Sequence, residues 1–254
     1  MQKILINKLR KKFKKGKLTI GGWMQICDPN IAEIMSSANY DWITFDLEHG
    51  SYSIKDVINS VRAVELNKKI KLARLPNKNL AISAQVLDAG CDGVIIPNIK
   101  NKSELIKIRN SIYFPPKGHR GVGFSRVNMF GKNFKRKMKN KIKPILIAMI
   151  ENVEGIKNLD EILSVEGLDA ILVGPYDLSS SLKITGKFNH PHFKKAIKQI
   201  IDKTKKKKIT LGIHVLQTSI KEVKAQFRKG FKFIPYGTDA LLLNHSIINS
   251  FKIK

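Results

Sequence analysis

Eight short apolar runs recur along the chain, near residues 18-25, 41-46, 69-74, 93-97, 144-150, 169-173, 209-215 and 231-236. Runs of this length bounded by Gly and Pro read as strands buried on both faces. Between most of them lie amphipathic stretches, such as Ile54 to Leu66 and Phe193 to Thr204, whose spacing predicts helices. Alternation of β and α elements argues for a parallel sheet. Eight repeats argue for closure of that sheet into a TIM (β/α)8 barrel, an α/β fold, with a doubly wound open sheet as the competing architecture. A helix-like segment from Gln2 to Phe13 precedes the first strand and is expected to cap the bottom of the barrel, and Ala240 to Phe251 supplies a last helix.

One connection breaks the rhythm. The segment from about Ser111 to Lys143, between strands four and five, is too long for a simple link. It contains Pro115-Pro116-Lys117-Gly118-His119-Arg120-Gly121-Val122-Gly123, whose glycines either bring backbone close to a substrate or make turns. Its denser part, Lys132 to Lys143, reads as a mobile loop or short helix near the site. With 254 residues the chain suits one barrel as well as two ordinary domains, and the absence of a Ser/Gly/Pro-rich linker favours a single domain over residues 1-254.

Composition changes the picture only modestly. The formal charge of +27 raises the prospect of a nucleic-acid partner. Arginine occupies only eight positions, however, so lysine supplies 39 of the 47 basic residues. Phosphate forks and base readout favour arginine, whereas a lysine excess fits compositional drift, so no specific nucleic-acid partner is expected. Nothing approaches the roughly 18 apolar residues that span a bilayer, and no signal sequence is evident, so the expectation is a soluble, cytoplasmic protein with no membrane partner. Cys27 and Cys91 have neither metal-like nor disulfide-like spacing.

The charged residues that matter stand where the strands end, because a barrel builds its active site at the C-terminal face. Strand two ends in Asp46, Glu48 and His49, strand three in Arg74, strand five in Glu151 and strand six in Asp177. Two carboxylates from neighbouring strands suit a hard divalent cation whose remaining positions go to water and substrate. Taken alone, Glu151 or Asp177 better suits the first turn of a helix, but their joint occurrence on successive strand ends points to the metal. His49 is placed to act as a general base with Asp46 as its orienting carboxylate. His214, within strand seven, suits a surface residue and a satisfied core histidine equally. Arg74 requires an anion, either a fixed carboxylate or, as favoured here, the substrate. No nucleophile motif, P-loop or dinucleotide fingerprint occurs. Lys141 and Lys143 precede strand five at the wrong end for a Schiff base, and Lys71 is a weak candidate.

These residues fall within a longer series: Asp46-Leu47-Glu48-His49-Gly50, Ala73-Arg74-Leu75-Pro76, Leu87-Asp88-Ala89-Gly90, Gly93-Val94-Ile95-Ile96-Pro97, Ile150-Glu151 and Gly174-Pro175-Tyr176-Asp177-Leu178. In order and spacing the series resembles the HpcH/HpaI aldolases over nearly the whole chain. The resemblance implies a pyruvate-binding TIM barrel and a metal-dependent (class II) aldolase that reversibly cleaves a 4-hydroxy-2-oxo acid to pyruvate and an aldehyde. It implies that Glu151 and Asp177 hold Mg²⁺, Mn²⁺ or another divalent cation, that His49 is the base with Asp46 behind it, and that Arg74 stabilises the enolate oxygen. Asp88 is implied as a further carboxylate, serving across a subunit boundary of a homo-oligomer, a trimer or hexamer. The main chain of Gly174, Pro175 and Tyr176 would meet the substrate carboxylate. Two departures bear on the aldehyde: Met149 stands where the family often has Gln, and Tyr176 is bulkier than the usual small residue. A related lyase or decarboxylase on the same barrel is the nearest alternative, and a basic binding protein without turnover is another.

Overall fold

The structure, a computed structural model, describes residues 2–139 and 142–251. Eight parallel strands close into a barrel in sequence order: β1 (Thr19–Met24), β2 (Trp42–Asp46), β3 (Ile70–Arg74), β4 (Gly93–Ile96), β5 (Ile145–Ile150), β6 (Ala170–Val173), β7 (Thr210–Ile213) and β8 (Phe233–Pro235). The last strand pairs back onto β1, Ile20 against Ile234, so no edge is left open and the doubly wound alternative is excluded. Around it lie α1 (Gln2–Lys14), α2 (Pro29–Ser37), α3 (Ile54–Leu66), α4 (Leu80–Ala89), α5 (Lys102–Ile112), α6 (Phe134–Lys139), α7 (Val153–Lys157), α8 (Leu159–Ile162), α9 (Pro175–Ser181), α10 (Pro191–Lys207), α11 (Ile220–Lys229) and α12 (Asp239–Ser250). Among the described residues no helix is long and apolar enough to cross a membrane.

The buried runs split by parity into two cores. Along β5, Leu146, Ala148 and Ile150 join the layer beneath the helices, whereas Ile145, Ile147 and Met149 point into the barrel with Trp23, Trp42, Ile70, Leu72, Ile95, Leu172 and Phe233. The same alternation sends Asp46 and Arg74, two residues beyond Thr44 and Leu72, to the inner face of the upper rim. The lower end is plugged by aromatic packing. Trp42 stacks on Phe233 at 4.3 Å between centroids, and Phe13 of α1 meets Phe233 edge-on at 5.8 Å. Ile6, Leu9 and Phe13 therefore cap the bottom as α1's apolar face predicts. Arg10 locks the cap, donating to both oxygens of Asp169 at 2.7 and 2.9 Å and to the Pro144 carbonyl at 2.9 Å.

The long segment before β5 folds against this lower end and not near the mouth. Arg120 donates to Asp88 at the end of α4 (2.5 Å), Arg126 to Glu65 at the end of α3 (2.5 Å), and Lys137 of α6 to Gln2 of α1 (2.7 Å). The lysine-dense stretch does contain a short helix, but at the opposite end of the barrel from the strand exits. Asn140 and Lys141 lie outside the described residues. Gly118 is a turn glycine, since a Cβ there would stand 2.4 Å from the carbonyls of Asn110 and Tyr113.

Trp42 fits only because Gly21 lies opposite it: a Cβ at Gly21 would approach the indole to 2.1 Å. Gly21→Val is therefore expected to destabilise the protein by about 1–3 kcal/mol, the usual cost of overpacking a closed core. A denaturation midpoint equal to that of the parent chain would show that the bottom layer has slack.

Candidate active site at the barrel mouth

The register of β2 against β3 sets Asp46 beside Arg74. The guanidinium grips the carboxylate with two parallel bonds, Nε to Oδ1 at 2.7 Å and Nη2 to Oδ2 at 2.5 Å. Trp23 donates its indole N–H to Asp46 Oδ2 at 3.0 Å and Gln25 its amide at 3.2 Å, while the main-chain N–H groups of Glu48 and His49 reach Oδ1. Burial alone would push the Asp46 carboxyl up, but Arg74 and Trp23 outweigh it and hold Asp46 below the usual carboxylate range. The anion that Arg74 requires is thus a fixed carboxylate, contrary to the expectation that substrate supplies it. Its third nitrogen, Nη1, faces Glu48 Oε2 at 2.9 Å and is the part of the guanidinium turned toward the mouth.

His49 lies exposed on the turn after β2. Asp46 engages it through the main chain, so the carboxylate fixes the turn that carries the imidazole and spends its remaining acceptor capacity on Arg74 and Trp23. Gly50 closes the same turn, with a Cβ there 2.3 Å from the Asp46 carbonyl.

Across the mouth, Glu151 is 6 % exposed at the exit of β5. It is not a helix cap, because Asn152 fills that role for α7. Oε1 accepts the Asn98 N–H at 2.6 Å, and Oε2 is buried with no hydrogen-bond partner among the described residues. Desolvation raises the Glu151 pKa to about 7; the Asn98 bond opposes the rise, and the charges of Asp177 and Glu48 add to it. Gly174 leaves the room for Oε2, since a Cβ there would stand 2.3 Å away. Asp177 sits exposed in the first turn of α9, three residues past Gly174. An orphaned carboxylate oxygen beside the side-chain-free Gly174, with a second carboxylate near enough to act on it through space, fits a divalent cation. Among the described residues no group of three or more His, Cys, Asp or Glu side chains could hold a metal alone. An ion here would need substrate or water oxygens to complete its shell.

The remaining expected residues divide. Met149 lies in the apolar barrel interior, one inward position below Glu151. Tyr176 is half-exposed and packs edge-on against Phe188 at 5.0 Å. Asp88 is not brought to the mouth of its own chain, since it stands at the lower end of α4 in its pair with Arg120. Lys71 faces the helices, bridging Asp92 at 3.0 Å and Glu65 at 3.5 Å. Burial would lower its pKa, but the two carboxylates outweigh that and raise it, which suits a structural ion pair and not an imine-forming amine. Trp23, Gln25 and Asn98 went unread in the sequence. The first two follow from the β1 exit, and Asn98, at φ 51°, from the tolerance of Asn for left-handed backbone just after Pro97.

A closed parallel barrel that gathers an anchored arginine and several carboxylates at its C-terminal rim has the layout of a TIM-barrel enzyme for small anionic substrates. The HpcH/HpaI aldolase/citrate lyase family profile matches residues 19–246, and the chain belongs to that family. It is 30 % identical over 246 residues to the hydroxypyruvate/pyruvate aldolase of Roseobacter denitrificans, covering 94 % of each chain. It is 30 % identical over 244 residues to the 5-keto-4-deoxy-D-glucarate aldolase of an Enterobacter species, covering 93 % of this chain and 92 % of the relative. The solved structure of a family protein from Burkholderia cenocepacia superposes with a TM-score of 0.89 at 24 % identity, over 97 % of this chain and 98 % of that one, a likeness of fold.

His214 adds a pH dependence. Half-buried just past β7, it packs its ring on Trp23 at 4.8 Å and donates from Nε2 to the Gly237 carbonyl at 3.0 Å, a structural role. Burial lowers its pKa from 6.5 to about 4, opposed by the Gly237 bond and aided by Arg74. A depressed folded-state pKa means that the unfolded chain binds the extra proton first, so this stabilisation is complete above pH 6.5 and is lost as pH falls toward 4. The stability difference between the parent chain and His214→Gln, followed by denaturation, is expected to shrink over that window by up to about 3 kcal/mol. A difference that does not vary with pH would mean that His214 is not held neutral.

Proposed function

We propose that this chain is a divalent-metal-dependent aldolase that reversibly cleaves a 4-hydroxy-2-oxo acid to pyruvate and an aldehyde. The observation that carries the reading is the buried Oε2 of Glu151, without a hydrogen-bond partner among the described residues, facing Gly174 and within reach of the charge of Asp177. A cation held by Glu151 and Asp177, Mg²⁺ or Mn²⁺, supplies Lewis acidity and fixed positive charge toward the oxygens of the oxo acid. The main-chain N–H groups at the start of α9, after Gly174 and Pro175, provide the dipole that suits the substrate carboxylate, with Tyr176 contributing its backbone.

The chain's own residues handle the proton and the developing charge. His49 accepts the proton of the 4-hydroxyl, directly or through water, as the C4 carbonyl forms. The electron pair of the breaking C3–C4 bond moves into the pyruvate enolate, and the freed C3 carbon is reprotonated after the aldehyde leaves. Arg74, immobilised by Asp46, offers Nη1 to the enolate oxygen when Glu48 yields its contact, so positive charge is already in place where negative charge appears. Trp23 and Gln25 act through Asp46 and are positioning residues. Met149 beneath the site leaves the oxo acid without a polar contact from that position, and Tyr176 narrows the approach from α9.

In this reading the protein works as a homo-oligomer, a trimer or hexamer, with Asp88 serving the site of a neighbouring copy. The exposed apolar side chains of α12, Leu243, Ile247 and Ile248 at about half exposure, support an assembly that covers them. Neither a nucleic acid nor a membrane is required.

Pyruvate release from a panel of 4-hydroxy-2-oxo acids, coupled to lactate dehydrogenase, tests the reading. Turnover is expected only with Mg²⁺ or Mn²⁺, and both Glu151→Ala and Arg74→Ala are expected to lower kcat/KM by roughly a hundredfold or more. Turnover that survives a chelator, or that Glu151→Ala leaves intact, would refute it.

A further inference from the structure

The end of the barrel opposite the mouth carries a second concavity. It measures about 570 Å³ and lies between the C-terminal end of α3, the start of α1 and the segment that leads into α6. Its floor is an ion-pair network: Arg126 holds both oxygens of Glu65, at 3.2 and 2.5 Å, and Lys71 sits 3.5 Å from the same carboxylate. Glu65 is the single acidic side chain among the described lining residues, and Arg126 and Lys71 engage its charge. Above the floor stand Arg62, Lys68, Lys69, Arg136 and Lys137.

Compositional drift accounts for lysines on convex, solvated faces, such as Lys205 to Lys207 at the end of α10. It does not account for cations gathered around one concavity, where they repel one another; Lys69 and Lys137 are half-buried in it, while Arg62, Lys68 and Arg136 stand exposed at its rim. Lys137 is half-buried there, and the acceptor that meets its ammonium is the neutral Gln2 Oε1, at 2.7 Å. The rim is also preformed. Met129 and Phe130 are successive non-glycine residues in the left-handed region, at φ 55° and 54°, and such residues cost of order 1 kcal/mol each. Buried Asn128 holds the turn, donating to the Gly123 carbonyl at 2.7 Å and accepting from the N–H groups of Ser125 and Gly131 at 3.1 and 2.9 Å. The strained turn presents Phe130, 71 % exposed, at the edge of the cationic bowl.

We infer that this cavity is a binding site for an oligophosphate anion, separate from the aldolase site. One phosphate would engage one or two of the cations, whereas a chain of phosphates can span from the Lys68–Lys69 side to Arg136 and Lys137. Phe130 offers an aromatic face on which the base of a nucleoside triphosphate would stack. Lys69 lies five residues before Arg74, so the strand rise separates the two sites by roughly 15 Å, and the anion does not compete with the oxo acid.

The test is calorimetric titration of the full-length protein, at one fixed ionic strength, with inorganic tripolyphosphate, ATP and inorganic phosphate. Tripolyphosphate is expected to bind at least about tenfold more tightly than phosphate, and Lys68→Glu/Lys69→Glu to weaken it by about tenfold or more, while Lys205→Glu/Lys206→Glu, with the same charge change elsewhere, leaves it within about twofold. Tighter binding of ATP than of tripolyphosphate, removed by Phe130→Ala, would identify a nucleotide as the source of the phosphates; equal binding lost in the cavity variant would identify the phosphate chain itself. Equal weakening by the two double variants would reduce the effect to diffuse charge and overturn the site, as would no binding of tripolyphosphate. Retained aldolase turnover in the Lys68/Lys69 variant separates this outcome from any failure of the proposed reaction.

Discussion

The mouth of the barrel is organised by one buried ion pair. Asp46 is wholly inaccessible and Arg74 is 7 % exposed, and each leaves water only because the other is present. The pairing follows from the register of two adjacent parallel strands that end at the same level, which puts two inward-facing side chains side by side. Removing one partner alone would strand a buried charge, a change that typically costs about 3–5 kcal/mol. The pair also distributes the remaining groups. Its carboxylate fixes the Glu48–His49 turn and the Trp23 indole, and its guanidinium is left with a single nitrogen directed at the mouth.

The rest of the rim complements that arrangement. The chain has a formal charge of +27 and only 20 acidic residues, yet Asp46, Glu48, Glu151 and Asp177 gather at one end of the barrel. One arginine neutralises the first two in part, and among the described residues the second pair forms no ion pair with a cation. Glu151 records the imbalance in its pKa, raised by burial and by the charges of Asp177 and Glu48. Carboxylates collected against the trend of the whole chain mark a functional site more sharply than they would in an acidic protein. The opposite end shows the converse pattern, with cations crowded around a carboxylate that is already engaged.

Much of this was legible in the sequence because strands of a parallel barrel are buried on both faces. The eight apolar runs stand out as runs, and parity then assigns the inner residues. The order of Asp46, Arg74, Glu151 and Asp177 along successive strand exits follows from the same reading. What escaped depends on contacts between residues far apart in sequence. Arg74 reads as a substrate contact because a guanidinium leaving an apolar strand needs an anion, whereas the anion that meets it is Asp46, one strand away at the same level. The segment before β5 was assigned to the mouth because long loops often serve sites, but its position is set by Arg126 with Glu65 and by Arg120 with Asp88, pairs 61 and 32 residues apart. Asn98 supplies a main-chain N–H, which no side-chain pattern reveals.

The central claim is that Glu151 and Asp177 hold a divalent cation whose shell the oxo acid completes. Titration of the protein with Mn²⁺, read by electron paramagnetic resonance with and without pyruvate, tests it most directly. The account predicts one ion per chain, bound more tightly when pyruvate is present and lost in Glu151→Gln. Binding that pyruvate weakens, or that Glu151→Gln leaves unchanged, would contradict it.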